Sequence, residues 1–377
     1  MSNRNPFLTS GYESPKYFCD RVSETNDLIE ALENDRNVTL MAPRRYGKTG
    51  LVENVFYKLR KDYGYKTIVI DLCPTQNLAE FTKLFASAVF RSLETTTEKA
   101  LAAATLFLKS CRPTLTIDPN DLSHKFSFDI AESQAESTLE DLFGYLARRS
   151  ERIAIAFDEF QQIVEYPEKG VEALLRSHVQ KVPRIGFVFA GSSQHIMREM
   201  FTNVKRPFYQ STQKLHLEVI GKDVYRDFAM RHFKAGGVRL PAEMFDAVYD
   251  RFDGITWYVQ AVLNRIYGWR DEGLEPSMVG EAVDKLIGES AYDFRALLES
   301  QPDVSVRLLR AVAAEGTARE VTSASFVARH GLRAPSSTSE SLTRLVRKEL
   351  LYKVGDGYVV YDRLFGEWLR RTTTNLV

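Results

Sequence analysis

Eight residues, Ala42-Pro-Arg-Arg-Tyr-Gly-Lys-Thr49, constrain this chain more than any other feature. They follow a short β-branched and apolar run at 37–41 and precede LVENVFYKLRKDY, where apolar positions recur at helical spacing. A strand, a loop of G-x-x-x-x-G-K-[ST] spacing and a helix read as a phosphate-binding loop, here with Ala at the first position. The residue types follow from the chemistry. Such a turn presents successive backbone N–H groups at a positive helix terminus. Gly47 lets the backbone approach a ligand, Lys48 reaches β- and γ-phosphates, and the Thr49 hydroxyl ligates Mg²⁺. Ala42 needs a negative φ, because a Cβ is penalised in the left-handed region. Nucleotide contacts are expected from Ala42, Pro43, Arg44, Arg45, Tyr46, Gly47, Lys48, Thr49 and Gly50.

A second signal is IAIAF at 153–157 followed by Asp158-Glu159-Phe160-Gln161. A buried strand ending in Asp puts Asp158 at the C-terminal edge of a sheet, where it can hold the Mg²⁺ shell. Glu159 points elsewhere and can polarise an attacking water as general base, so the pair predicts hydrolysis. FVFAGSSQH at 187–195 is a strand ending in small polar residues. Ser192 or Ser193 contacts the γ-phosphate or the lytic water, or else caps the next helix; both readings stay open. Lys205 and Arg206 stand in a loop, either as a cation of the arginine-finger kind, in cis or across subunits, or as a solvated pair.

At 377 residues the chain has room for two or three domains. Strands at 37–41, 66–71, 153–157, 184–191 and 214–219 alternate with helical stretches, which predicts an α/β parallel sheet covered on both faces over residues 1–220. Ser23 is expected to cap a helix at 23–32, and 115–130 reads as a β-hairpin around Asp-Pro-Asn-Asp. Residues 221–300 are helical throughout and read as a lid whose core holds Phe228, Phe233, Phe245 and Phe252. Over 301–377 three helices, a hairpin around Gly-Asp-Gly and a closing helix give the order of a winged helix-turn-helix, with 336–339 as a capping cluster. The three cysteines, Cys19, Cys73 and Cys111, are far apart, and His178, His195, His216 and His232 read as surface or capping residues, so no zinc site is expected. The N-terminus lacks an apolar h-region and no run of 18 apolar residues occurs. A soluble cytoplasmic protein without membrane contact is the expectation.

Taken together, the motifs resemble the archaeal-type ATPases within the STAND and AAA+-related P-loop NTPases. The chain shares with them an opening FxxRxxE (Phe18, Arg21, Glu24), the GPRRxGKT-like loop, DEFQ at 158–161, and a strand-end Gly191-Ser192. It also shares Pro207-Phe208-Tyr209, Gly254 and Tyr258 at a helix start, and a YxxxDxxFxxWL ending at 358–369. The resemblance implies a five-stranded parallel P-loop NTPase core followed by a helical lid and a C-terminal winged helix. It implies ATP or ADP as the nucleotide, with Mg²⁺, and Phe18 and Arg21 near the adenine or ribose. Relatives carry Gly-x-Pro where Thr256 replaces the proline here. Some relatives end in a nuclease-like domain; none is expected in this chain.

The fifty basic and fifty acidic residues balance, so any polyanion surface must be local. Residues 301–377 hold twelve Lys or Arg against eight Asp or Glu, with Arg333, Arg344, Arg347, Lys348 and Lys353 on or beside the recognition helix and wing. That surface suits duplex DNA, while a winged helix packed on the core as a gate is the competing reading. The expected activity is therefore a slow Mg²⁺-dependent ATPase whose nucleotide state moves the winged helix, with duplex DNA and a gate on the core both left open as its target. The alternative is a STAND-like switch that controls protein partners or self-association with little turnover.

Overall fold

The computed structural model describes residues 4–94, 96–109, 112–117 and 124–374. The first part holds β1 (Val38–Met41), β2 (Lys66–Asp71), β3 (Arg112–Ile117), β4 (His124–Asp129), β5 (Ile153–Asp158), β6 (Ile185–Gly191) and β7 (Gln213–His216). Its helices are α1 (Val22–Glu33), α2 (Lys48–Asp62), α3 (Leu78–Leu93), α4 (Thr97–Phe107), α5 (Ala135–Ala147), α6 (Val171–Gln180) and α7 (Gln194–Thr202). Five strands form a parallel sheet in the order β2-β5-β6-β1-β7. Strands β3 and β4 pair antiparallel as a separate hairpin, whose turn lies outside the described residues, as does Cys111.

Strands β1, β5 and β6 are buried along their whole length, and residue size differs between the two faces. Ile153, Ile155, Phe157, Phe187 and Phe189 join one core, while Ala154, Ala156, Val188 and Ala190 join the other. Period-2 alternation therefore sends large side chains toward α3 and α5 and small ones toward α1 and α2. The small face brings α1 close: a Cβ on Gly186 would meet Leu32 Cδ2 at 2.6 Å. Because β6 lies between β1 and β5, its end at Gly191-Ser192 sits between the β1–α2 loop and Asp158. All three chain ends meet at the C-terminal edge, where ligands of open α/β sheets bind.

The lid comprises α8 (Lys222–Ala235), α9 (Ala242–Arg251), α10 (Thr256–Gly268) and α11 (Ser277–Glu299). Then come α12 (Asp303–Glu315), β8 (Ala318–Arg319), α13 (Ala324–Arg329), α14 (Pro335–Arg347), β9 (Leu351–Val354), β10 (Gly357–Val360) and α15 (Arg363–Thr374). This is a winged helix in which β8 adds a third strand that the sequence reading did not anticipate. Phe228, Phe233, Phe245 and Phe252 are buried in one continuous core with Leu308, Leu345, Phe365 and Leu369. Phe294 of α11 packs at 5.2 Å on Phe365 and 5.9 Å on Trp368, and truncating such a residue costs about 3–5 kcal/mol. A two-pronged ion pair from Arg251 to the buried Glu367, at 2.6 and 2.5 Å, reinforces the joint.

Three local expectations are corrected. Ser23 lies inside α1; the N-cap is Arg21 (φ 60), whose carbonyl accepts from Thr25 N–H at 2.9 Å. The 336–339 cluster lies inside α14, because Pro335 starts that helix earlier and the Ser337 and Thr338 hydroxyls bond back to the Ala334 carbonyl. His178 is not a surface residue: it is buried and stacks on Phe143 at 4.9 Å, an apolar contact that outweighs its polarity. Among the described residues no helix is long and apolar enough to cross a membrane.

Candidate functional site

The β1–α2 loop has the backbone its composition demands. Ala42 keeps a negative φ, while Arg45 (φ 73) and Gly47 (φ 89) take left-handed conformations. Gly47 precedes α2, which has no side-chain cap, so its first-turn N–H groups remain donors for a ligand. The loop faces a cavity of about 320 Å³ closed by residues 8–14, Phe18, Arg21, Glu159 and the start of α10. Trp257 holds the 8–14 strap by donating from its indole to the Thr9 carbonyl at 2.9 Å.

Lys48 is buried, and its ammonium donates to the carbonyls of Ala42 (3.0 Å) and Pro43 (3.2 Å). Burial lowers its pKa, against the charges of Glu159 and Asp158. A desolvated cation satisfied only by neutral carbonyls is poised for a polyanion. The Thr49 hydroxyl donates to Asp158 Oδ2 at 2.6 Å, joining the two motifs directly. Burial raises the Asp158 pKa, and the neighbouring Glu159 charge adds to it while the Thr49 bond and Lys48 oppose. A hydroxyl and an under-compensated carboxylate oxygen make a donor set that fits a hard divalent cation.

Glu159 (φ 53) turns off the strand end, which separates its carboxylate from that of Asp158. Its Oε2 accepts from Gln161 Nε2 at 2.5 Å, from the Ser192 hydroxyl at 2.6 Å and from Ser192 N–H at 3.3 Å. Burial raises its pKa, but those bonds and the charges of Lys48 and Arg44 outweigh it, so the pKa falls below the ordinary value. Glu159 is thus an ionised base facing the cavity. Ser192 serves it directly, whereas Ser193 occupies the N-cap of α7 without a side-chain capping bond.

Phe18 is half-buried over the loop, its ring 3.7 Å from where a Gly50 Cβ would stand. Arg21 lines the cavity, but its guanidinium is held by Glu24 (2.8 Å) and by the carbonyls of Glu218 (2.5 Å) and Tyr46 (3.4 Å), so it braces the loop. The lid braces it too: Thr256 donates its hydroxyl to the Tyr46 carbonyl at 3.3 Å and Trp257 its N–H to the Arg45 carbonyl at 3.0 Å.

The winged helix completes the site, a role the sequence reading left open. The Arg44 N–H donates to the Tyr361 hydroxyl at 2.6 Å, and the Arg44 side chain pairs with Glu349 at 3.2 Å. Arg45 donates to the Tyr258 hydroxyl at 2.5 Å, pairs with Asp362 at 3.0 Å and lies over the Trp257 ring at 4.4 Å. Tyr352 donates to Gln194 Oε1 at 2.8 Å, reaching the helix after Ser193. Arg206 is not brought to the cavity; it pairs with Glu172 of α6, and Lys205 is exposed. Missed as site residues were Gln161, Tyr258, Glu349, Tyr361 and Asp362. Gln161, Tyr258 and Asp362 stand at fixed positions of the quoted motifs, a signal that marks them without giving a role.

A family model described as an ATPase domain predominantly from Archaea matches residues 18–262, and one described as a probable winged helix domain matches residues 292–371. Among solved structures, the fold is similar to a Walker-type ATPase of Pyrococcus abyssi, with TM-score 0.69 and 18% identity over 97% of this chain and 99% of that one. It is also similar to the ORC2 protein of Aeropyrum pernix in ADPNP-ADP complexes (TM-score 0.63, 17% identity, 100% and 98% covered). The ORC1 protein of the same organism, in complex with DNA, follows at TM-score 0.52 and 15% identity, with both chains fully covered at 100%. No curated protein sequence matches the chain. At such identities the structural likeness speaks for the fold: a P-loop NTPase sheet followed by a winged helix.

Proposed function

The chain belongs to the family of ATPase domains predominantly from Archaea, and within it we propose a slow, Mg²⁺-dependent cytoplasmic ATPase whose nucleotide state repositions the winged helix. The observation that carries the reading is the 2.6 Å bond from Thr49 to Asp158, with Glu159 lining the same cavity as the phosphate loop. Thr49 and Asp158 would hold Mg²⁺, which when bound neutralises charge on the phosphate oxygens. Lys48 exchanges its loop carbonyls for the β- and γ-phosphates, and the first N–H groups of α2 complete the cradle. Glu159 takes the proton of the attacking water. The base and ribose of ATP lie toward Phe18 and the 8–14 strap. Arg206, held outside the cavity, would act only across a subunit contact.

Duplex DNA is the partner that the exposed side of α14 and the wing fits. Ser336, Ser339, Thr343 and Arg347 on the helix and Lys353 on the wing are exposed, while Glu349, Tyr352 and Tyr361 of the same module face the core. The relative crystallised with DNA supports this choice by its fold alone. A second reading, a regulatory switch that assembles protein partners or copies of itself with little turnover, is favoured by the direct seating of the winged helix on the loop arginines. The test is Mg-ATP turnover at low salt with and without duplex DNA, with Lys48→Ala as blank and Glu159→Gln as base-less control. Turnover raised several-fold by DNA and reversed by salt supports the first reading. Turnover indifferent to DNA, with nucleotide-dependent change in oligomeric state, supports the second. Full turnover in Glu159→Gln removes the hydrolytic mechanism.

A further inference from the structure

Glu159 is held asymmetrically. All three hydrogen bonds to its carboxylate converge on Oε2, and among the described residues Oε1 receives none. A general base needs this arrangement, with one oxygen fixed and the other open to water. Gln161 makes it at a cost, since its own Oε1 is buried without a partner. That oxygen lies against Gly191, where a Cβ would stand 2.5 Å away. The amide orientation is dictated by the carboxylate: Oε2 only accepts, so the NH₂ must face it and the carbonyl oxygen is left over. A side chain kept in a cradle that leaves half its amide unsatisfied is placed for the half that touches Glu159.

The arrangement does not stop at Ser192. Arg44 donates from Nε to Ser192 Oγ at 3.4 Å and pairs through Nη2 with Glu349 at 3.2 Å. Glu349 lies between α14 and β9 in a left-handed conformation (φ 55), which aims it at the loop. With the Tyr361 hydroxyl accepting the Arg44 N–H, the winged helix holds this residue by backbone and side chain. A polar chain therefore runs from Glu349 through Arg44 and Ser192 to Glu159.

We propose that Gln161 and Ser192 are positioning residues that clamp Glu159 with one oxygen free, and that the winged helix keeps the clamp closed through Glu349 and Arg44. The proposal deepens the ATPase reading and rests on it. Arg44 occupies an acceptor position of Ser192 Oγ, so the hydroxyl proton is committed to Glu159. When the winged helix leaves the loop, Arg44 is released, Ser192 is free to rotate, and Glu159 loses a donor. The docked state is then competent for hydrolysis and the undocked state retains ATP. The exposed residues of α14 stay accessible in the docked state, so a polyanion bound there leaves the clamp closed.

The experiment measures kcat, KM and calorimetric ATP affinity for the wild type, Gln161→Ala, Ser192→Ala, Glu349→Ala and the double variant Ser192→Ala/Glu349→Ala, with thermal melts confirming that each is folded. Gln161→Ala should lower kcat roughly tenfold and Glu349→Ala several-fold, with ATP affinity unchanged. In Gln161→Ala and Ser192→Ala the loss should fall on kcat with KM unchanged, a split that a merely structural residue would not give. Because the hydrogen-bonded chain from Glu349 reaches Glu159 through Ser192, its removal should have a much smaller effect in the Ser192→Ala background. Effects that multiply as for independent sites would overturn the winged-helix arm. An unchanged kcat in Gln161→Ala, beside an active wild type, would overturn the clamp alone. A wild type that neither binds nor hydrolyses ATP would overturn the function beneath it as well.

Discussion

Replacing Arg45 with methionine removes one charge while keeping the aliphatic stem that lies over Trp257. Arg45 is the loop's main link to the joined lid and winged helix: it donates to Tyr258 at 2.5 Å, pairs with Asp362 at 3.0 Å and has Tyr258 and Trp257 rings at 4.7 and 4.4 Å. Its side chain is 33% exposed, so the ion pair is discounted for solvent to about 1 kcal/mol. The bond to Tyr258 adds about 1 kcal/mol and the cation–π contacts about 0.5–1 kcal/mol. Asp362 is not orphaned, since it still accepts from Leu364 N–H (2.9 Å), Phe365 N–H (3.2 Å) and the Tyr258 hydroxyl (3.1 Å). The change should therefore weaken the contact by about 2–3 kcal/mol, a factor of roughly 30–150 in the opening equilibrium. Two amides report that opening: Arg44 N–H, bonded to the Tyr361 hydroxyl, and Trp257 N–H, bonded to the Arg45 carbonyl. Hydrogen exchange at both should accelerate by about that factor, while amides of the central strands β5 and β6 keep their protection. Acceleration below threefold at both amides would refute the reasoning, because the winged helix would then be held by something other than Arg45.

Lys48→Ala should abolish ATP binding by calorimetry, since the buried ammonium is the cation of the loop closest to losing its solvent. Asp158→Asn should lower Mg-ATP affinity at least tenfold yet stabilise the free protein at pH 7 in urea melts. The sign follows from burial raising the Asp158 pKa: the folded state disfavours the ionised form, stability falls as pH rises from the unfolded value of 3.8 through the raised one, and the amide removes that loss. His178→Phe should flatten the stability profile below about pH 6.5, measured by urea melts at pH 5.5 and 7.5. Burial depresses the His178 pKa, so the unfolded state takes up the proton first and the wild type loses stability as pH falls through 6.5.

The sheet was legible because its strands are apolar along their length and its phosphate loop is fixed by spacing, both of which are local. The strands at 66–71 and 153–158 fall where the sequence places them to within a residue. What failed was also local but carried no composition signal. Nothing in an arginine advertises a left-handed N-cap, and Arg21 takes φ 60 with its guanidinium held by Glu24 of the same helix and by two carbonyls from distant segments, Tyr46 and Glu218. His178 misled because histidine is polar in any window, and only the tertiary partner Phe143 makes its ring a core residue. The two carboxylates of the candidate site were legible from DE after a strand, whereas the donors that orient one of them were not. Ser192 reaches Glu159 only because β6 is inserted between β1 and β5, a consequence of sheet order that one-dimensional spacing does not contain.

The same logic explains why the winged helix had two readings from sequence. Its exposed Arg347 and Lys353 and its core-facing Glu349 and Asp362 lie on different sides of one small module, and net charge averages them. In the folded chain the phosphate loop is gripped from three places far apart in sequence: Arg21 at the Tyr46 carbonyl, Thr256 and Trp257 at the Tyr46 and Arg45 carbonyls, and Tyr361 at the Arg44 N–H. All of these contacts engage residues 44–46, whereas Gly47, Lys48 and Thr49 are the residues proposed to hold phosphate and Mg²⁺. A loop divided in this way cannot adjust to a γ-phosphate at one end without moving the backbone that the lid and winged helix hold at the other. Because those two share one continuous core, such a displacement would move them as a body, which is the route by which the proposed nucleotide switch would reach the exposed face of α14.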